Sequence, residues 1–255
     1  MARVGFVGTG AIASAMVQAL GEQDHSLLVS ERSQSRAQAL AATYDSVSVA
    51  DNAGVVAGSD IVILCLPADV ARDVLPDLTF REDQTVISVM AGFSLQELTH
   101  SCAPATDLAI MIPLPSLPSG VSPIVAYPHS DAIVSLFGKS AQLQFAPSED
   151  ALNAHFAATA MLLPIMTQID VAANWLAAAT GDKPEAERYM SALFASYFKT
   201  LELDPQMNFE ALKAGLSIEG GMNSRLTKSL RDLGVEETIV ATLDQFADQM
   251  RLTSK

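Results

Sequence analysis

The sequence predicts an α/β protein in which a doubly wound, mostly parallel sheet is followed by a second, all-helical domain. Up to about Pro147, short β-branched runs alternate with alanine-rich segments, the rhythm of parallel strands joined by crossover helices. From Ser148 onward the two-residue period is gone and long helical segments take over. Residues 1–147 and 148–255 are therefore expected to form two domains. Internal repeats and low-complexity tracts are absent from the sequence.

Seven strands are expected, at Arg3–Val7, Ser26–Ser30, Val47–Val49, Asp60–Leu66, Thr85–Val89, Leu108–Ile112 and Ile124–Tyr127. All but the third and the last are apolar nearly throughout. Strands covered on both faces read this way, because no alternate residue is free to meet water. Ser94 can cap the amide three residues on while Glu97 reaches back, a capping box that opens a helix over Leu95–Cys102. In the second domain, loops are expected around Gly181-Asp182-Lys183-Pro184, Asp204-Pro205 and Gly220-Gly221.

The most apolar long segment, Ala151–Thr180, has one formal charge, Asp170, and is interrupted by Asn153, His155, Pro164, Gln168 and Asn174. It is expected as a buried helix rather than a membrane span. A helix apolar around most of its circumference must be enclosed by neighbours, and a domain of about a hundred residues offers few helices to do so. A homodimer with this helix near the two-fold axis is expected.

Composition narrows the function. The chain has 15 Lys plus Arg against 29 Asp plus Glu, a net charge of -14, shared as about -8 up to Pro147 and about -6 beyond it. No basic patch is offered to a phosphate backbone or an anionic membrane, so neither nucleic acid nor membrane is expected as partner. A 49% hydrophobic content and a mean hydropathy of +0.27 supply ample core material and argue against general disorder. The two cysteines, Cys65 and Cys102, lack metal-ligand spacing, and no metal site is expected. The start of the chain reads as a strand and a glycine turn, not as a basic region leading into an apolar leader, and a reducing, cytoplasmic setting is expected.

The clearest chemistry lies in Gly8-Thr9-Gly10-Ala11-Ile12-Ala13, which follows the first strand and opens the helical pattern Ile12, Ala15, Met16, Ala19, Leu20. This is the dinucleotide fingerprint of Rossmann domains. Gly8 permits the tight turn, Gly10 lets a diphosphate approach the backbone, and Ala13 lets the helix pack closely. The helix then directs unpaired amides and its positive dipole end at the phosphates. Without a ligand, the same residues would be an ordinary glycine turn between strand and helix.

The second strand ends in Ser30-Glu31-Arg32-Ser33, an acid and a base together at the ribose position. Glu31 can accept from the two ribose hydroxyls, which favours NAD, whereas Arg32 with Ser33 can clamp a 2′-phosphate, which favours NADP. Arg32 can equally be a solvated surface charge. The balance leans to NADP, with NAD left open.

These residues resemble the pyrroline-5-carboxylate reductases. Val4–Met16 is similar to the opening of that family, Asp60–Leu64 to its fourth strand, and Ile87–Leu95, the most specific match, to its fifth strand and turn. A thinner similarity returns at Gly220-Gly221-Met222-Asn223-Ser224-Arg225-Leu226, where the family has a Gly-Gly-Thr-Thr substrate loop. The resemblance implies an oxidoreductase of proline biosynthesis that transfers hydride from a nicotinamide to a small cyclic imino acid. It places Met90, Ala91 and Gly92 beside the nicotinamide ring, Leu66 and Pro67 in the cofactor site, and Pro113 and Pro115 in the loop beneath the ring. It also turns the backbone amides of Gly220 and Gly221 toward a substrate carboxylate, with the Asn223 amide as a hydrogen-bonding group for the substrate nitrogen.

Several positions depart from the family. Leu66-Pro67 replaces a Lys-Pro, Ile112-Pro113-Leu114-Pro115-Ser116 replaces a Met-Pro-Asn-Thr-Pro, and Ala160-Met161-Leu162-Leu163-Pro164 replaces a Gly-Ser-Gly-Pro pocket helix. A pocket so altered is expected to be more apolar and differently shaped. Alcohol oxidation needs a general base, and Ala151–Thr180, where a β-hydroxyacid dehydrogenase would carry its lysine, contains none. His155 lies there, but a single His on an apolar surface is more often packed than catalytic. An imine can enter already protonated and asks mainly for positioning. Reduction of a cyclic imine is therefore the leading expectation. The alternatives are a hydroxyacid or F420-linked oxidoreductase on the same nucleotide domain, and a cofactor-binding sensor without catalysis.

Overall fold

The computed structural model describes residues 2–204 and 206–253; the expected turn residue Pro205 lies outside them. Eight strands form one sheet: β1 (Arg3–Val7), β2 (Ser26–Ser30), β3 (Val47–Ala50), β4 (Ile61–Leu64), β5 (Thr85–Ser88), β6 (Asp107–Ile112), β7 (Pro123–Tyr127) and β8 (Gln142–Phe145). Their order is β3-β2-β1-β4-β5-β6-β7-β8. Every neighbouring pair is parallel except β6 and β7. Seven of these strands coincide with expected ones to within two residues at either end. β8 is an addition to the expected set, a four-residue edge strand that pairs β7 from Pro123↔Gln142 to Ala126↔Phe145.

Helix α1 (Ala11–Leu20) returns the chain from β1 to β2, and α2 (Gln34–Thr43) from β2 to β3. After α3 (Asn52–Gly58), the chain re-enters the sheet at β4, on the other side of β1. The winding direction thus reverses between β1 and β4, and such a reversal opens a crevice at the carboxyl ends of the two strands. In α1, Ala13, Met16, Val17 and Leu20 are buried to the last ångström and pack in one cluster with Phe6, Leu27 and Val29. On the opposite face, α3, α4 (Ala68–Val74) and α5 (Leu95–Ser101) bury Val55, Ala71 and Leu98 against Val7, Val62 and Leu64. The central strands are covered on both sides, which is why β1, β4, β5 and β6 carry almost unbroken apolar runs. The capping box exists: the Glu97 amide donates to Ser94 Oγ at 3.1 Å and the Ser94 amide donates to Glu97 Oε2 at 2.8 Å. A short helix α6 (Asp131–Phe137) links β7 to β8.

The chain divides into two compact units, Ala157–Gln245 forming one and the residues up to Phe156 with those from Phe246 onward forming the other. The single long helix expected over Ala151–Thr180 is two helices, α7 (Glu149–Thr159) and α8 (Leu162–Thr180). Pro164 explains the break, since its ring cannot share space with the carbonyl of Ala160 four residues back. It stands instead in the first turn of α8, where no amide is needed. Within the single chain, among the described residues of α8 only Ala173 is buried, while Leu163 is 75% exposed and Trp175 74%.

Gly181, at φ +79, ends α8, and Asp182 caps the Glu185 amide at 2.9 Å to start α9 (Lys183–Leu203). The two helices pack on each other, burying the small residues Ala173 and Ala186. Helices α10 (Phe209–Leu216), α11 (Met222–Asp232) and α12 (Val235–Thr253) follow. The segment Glu149–Thr180 is apolar and long enough to cross a membrane by length and composition.

Candidate functional site

Gly8 leaves β1 at φ +96, a left-handed conformation that side chains resist. It also lies close against the end of β4, where an added Cβ would be 2.7 Å from the Cys65 carbonyl oxygen. Gly10, the N-cap of α1, is the opposite case, because a Cβ built there would meet nothing within 4 Å. The space above Gly10 is a cradle that a side chain would fill. No side chain caps α1 and no acidic residue stands in its first turn, so its leading amides face that space unneutralised. These residues fit a diphosphate group. Ala13 is fully buried between helix and sheet, Ile12 is half-buried, and Ala11 is exposed.

Thr9 and Ser30 are buried and hydrogen-bonded to each other's segment. The Gly8 amide donates to Ser30 Oγ at 2.8 Å, and the Thr9 hydroxyl donates to the Ser30 carbonyl at 2.6 Å. Directly after Ser30, residues Glu31–Ser33 form a short 3-10 turn in which Glu31 and Arg32 are exposed. Among the described residues neither side chain makes an ion pair. The acid and the base thus stand exposed side by side on one turn.

The end of β4 continues as Cys65, Leu66 and Pro67, with Leu66 7% exposed and Pro67 open to solvent before α4. Burial pushes the Cys102 thiol up to about 12 and the Cys65 thiol above its usual range. After β5, the Met90 amide donates to Ser88 Oγ at 3.2 Å, and Gly92 turns the chain at φ +74. Met90 is buried and Ala91 exposed. This turn is braced from α4: Arg72 donates to the Gly92 carbonyl at 3.1 Å and to Glu97 at 2.9 Å, with its guanidinium over the Phe93 ring. Glu97 is held below its ordinary range. Its partial burial acts the other way and is outweighed by the Ser94 amide and hydroxyl together with Arg72.

Glu149 of α7 accepts the Leu95 amide at 2.9 Å, so the start of α5 is met by two carboxylates. A cleft of about 10 Å³, the size of one water, opens between Met90, Gly92 and Ser94 on one side and Glu149, Asn153 and Met250 on the other. His155 Nδ1 lies 2.7 Å from the Ala151 carbonyl and donates to it, tying the ring to its own helix. Pro113 and Pro115 follow β6, and the next turn buries Leu117 in the core cluster that contains Met16.

In the second unit, Gly220 (φ +71), Gly221 and Asn223 come together where α11 begins. The Gly221 amide donates to the Ile218 carbonyl at 2.9 Å and is thereby used within the turn. The donors left without a capping side chain are those of the first turn of α11, including the Asn223 backbone amide. The Asn223 side chain reaches the Leu216 carbonyl only at 3.4 Å and is exposed. Sequence reasoning missed Ser30, Arg72 and Glu149 as supports of these turns. A strand ending in serine beside a glycine turn was the one signal available for Ser30; Arg72 and Glu149 gave none, because their partners are distant in sequence.

The model of the family of NADP oxidoreductases that are coenzyme F420-dependent matches residues 3–92. Pyrroline-5-carboxylate reductase 2 of Bacillus subtilis is 29% identical over 106 residues, 39% of this chain and 38% of that relative's length. The pyrroline-5-carboxylate reductase of Corynebacterium melassecola is 24% identical over 273 aligned residues, 98% of this chain and 97% of the relative.

Among solved structures, 1-pyrroline-5-carboxylate reductase from Streptococcus pyogenes superposes with a TM-score of 0.83 at 22% identity, covering 98% of both chains. Plasmodium falciparum pyrroline carboxylate reductase, with NADP bound, gives 0.86 at 12% identity over 100% of this chain and 98% of that one. An imine reductase from Aspergillus terreus gives 0.56 at 15% identity over 80% and 76%.

Proposed function

On the premise that this chain is similar to pyrroline-5-carboxylate reductases over nearly its whole length and has their fold, we propose that it is an NADPH-dependent reductase of cyclic imines, with NADH as a second acceptable donor. The observation that carries this reading is the open space over Gly10 at the head of an uncapped α1. There the backbone amides of Ala11, Ile12 and Ala13 hold the diphosphate. Arg32 and Ser33 take the 2′-phosphate, or Glu31 the ribose hydroxyls. Leu66, Pro67, Met90, Ala91 and Gly92 line the cofactor on the β4 and β5 side. When bound, the reduced nicotinamide supplies the hydride.

The chain's own contribution is then positioning. A protonated cyclic imine carries the positive charge that makes its carbon accept hydride, so no strong acid is required of the protein. The turn Gly220–Gly221 and Asn223 receive the substrate's carboxylate and nitrogen, the first-turn amides of α11 supplying the donors. With the apolar Leu114 where the family's loop has a polar residue, substrates more apolar than pyrroline-5-carboxylate are favoured. NADPH consumption measured against pyrroline-5-carboxylate and a panel of cyclic imines tests this; turnover with at least one imine is expected. Failure of all of them, with NADPH shown to bind, overturns it.

The match of residues 3–92 to F420-dependent NADP oxidoreductases favours a second reading in which NADPH passes its hydride to a deazaflavin. That match is confined to the nucleotide-binding end, and reduction of coenzyme F420 by NADPH would select it.

A homodimer through α8 is also proposed. Leu163, Val171 and Trp175 are each more than 60% exposed, an apolar surface that a stable single chain rarely leaves in water. A second copy covers it better than a bilayer does, because Asp170 in the middle of the segment would cost about 2.5–3.5 kcal/mol in hydrocarbon. A cytoplasmic setting is proposed with it.

A further inference from the structure

Two buried hydroxyls fasten the glycine turn to the end of β2. Ser30 Oγ accepts the Gly8 amide at 2.8 Å, and Thr9 returns its own hydroxyl to the Ser30 carbonyl at 2.6 Å. Ser30 has no solvent exposure and Thr9 only 1%. From the far side, the Cys65 carbonyl closes on Gly8. The turn therefore has no freedom to slide along β2, and the residues that follow Ser30 are Glu31, Arg32 and Ser33. A molecule touching both the amides beyond Gly10 and the side chains beyond Ser30 must match the span that this strut fixes.

We infer that Thr9 and Ser30 are positioning residues that set the distance between the diphosphate-holding turn and the ribose-reading turn, and so determine how sharply a 2′-phosphate is told from a 2′-hydroxyl. The inference rests on the nucleotide-binding reading above. Both hydroxyls are buried and engaged within the protein. With the span fixed, a ligand held at the diphosphate meets the ribose contacts at little further entropic cost. With the strut cut, the turn relaxes to suit the diphosphate alone, and contacts that depend on the ribose substituent weaken first.

The experiment is calorimetric titration of the full chain with NADPH and with NADH, for the natural sequence and for Thr9→Val, Thr9→Ser and Ser30→Ala. Thr9→Val and Ser30→Ala are expected to weaken the preferred nucleotide about tenfold, the effect of losing one buried hydrogen bond. The other nucleotide weakens less, so the ratio of the two affinities moves toward one, while Thr9→Ser keeps the natural ratio. A role in folding alone would lower the melting temperature and scale both affinities alike. An unchanged ratio in both variants, or equal affinities in the natural chain, overturns the inference and leaves the nucleotide site standing. Absence of binding to either nucleotide by the natural chain overturns both. Should the variants not fold, hydrogen exchange on the natural chain decides: the Gly8 amide is expected to be as protected as those of β1 before any nucleotide is added, and rapid exchange there overturns the strut.

Discussion

At Gly8 an added methyl group would press on the Cys65 carbonyl in a left-handed backbone, whereas at Gly10 it would enter empty space. The two glycines of one turn thus answer to different demands, the first to folding and the second to a ligand. Gly8→Ala is expected to cost about 2 kcal/mol or more, from the left-handed conformation and the contact together. Gly10→Val is expected to leave the melting temperature nearly unchanged and to weaken NADPH binding at least tenfold. Thermal melts alongside nucleotide titration check both.

Ser94→Ala removes a cap and is expected to cost about 1 kcal/mol. Glu97, held below its unfolded value, contributes stability that is complete above the ordinary carboxylate range and is lost as the pH falls through its lowered folded value. Denaturant midpoints followed into acid are expected to fall less steeply for Glu97→Gln than for the natural chain.

Among the elements, α1 also holds the glycine turn in place, because Met16 and Leu20 anchor it in the sheet's core cluster. Met16→Ala is expected to cost about 2–5 kcal/mol by leaving a cavity, seen as a lower urea midpoint. The elements also show what a sequence can and cannot reveal. β1 and β2 are found at their expected residues because buried parallel strands announce themselves as apolar runs bounded by turns. β8 is not legible in this way: Gln142, Leu143, Gln144 and Phe145 alternate polar and apolar over only four residues, as a half-exposed edge does, and so short an alternation resembles a loop. Pro164 marks the break between α7 and α8, but the apolar run on either side of it reads as one continuous helix. At the site, the glycine turn is local chemistry and is legible. Its fastening to Ser30 joins residues 22 apart and depends on how β1 and β2 are placed side by side, which composition and periodicity do not encode.

For the whole molecule, the exposed row on α8 makes the oligomer the central question. Light scattering coupled to size exclusion is expected to return twice the chain mass. Val171→Lys is expected to shift the population toward single chains and to lower imine turnover with it; a monomer of the natural sequence with full activity would contradict the dimer.

One further consequence concerns how a nucleotide arrives. The start of α5 already has Glu97 and Glu149 upon it, while that of α1 has no anion of its own. Around both, the molecule carries a net charge of -14. An incoming polyanion is therefore repelled at long range and welcomed only within the last few ångströms. Added salt screens the repulsion and leaves the close amide contacts almost untouched, so stopped-flow association of NADPH is expected to quicken with ionic strength, contrary to what electrostatic steering produces.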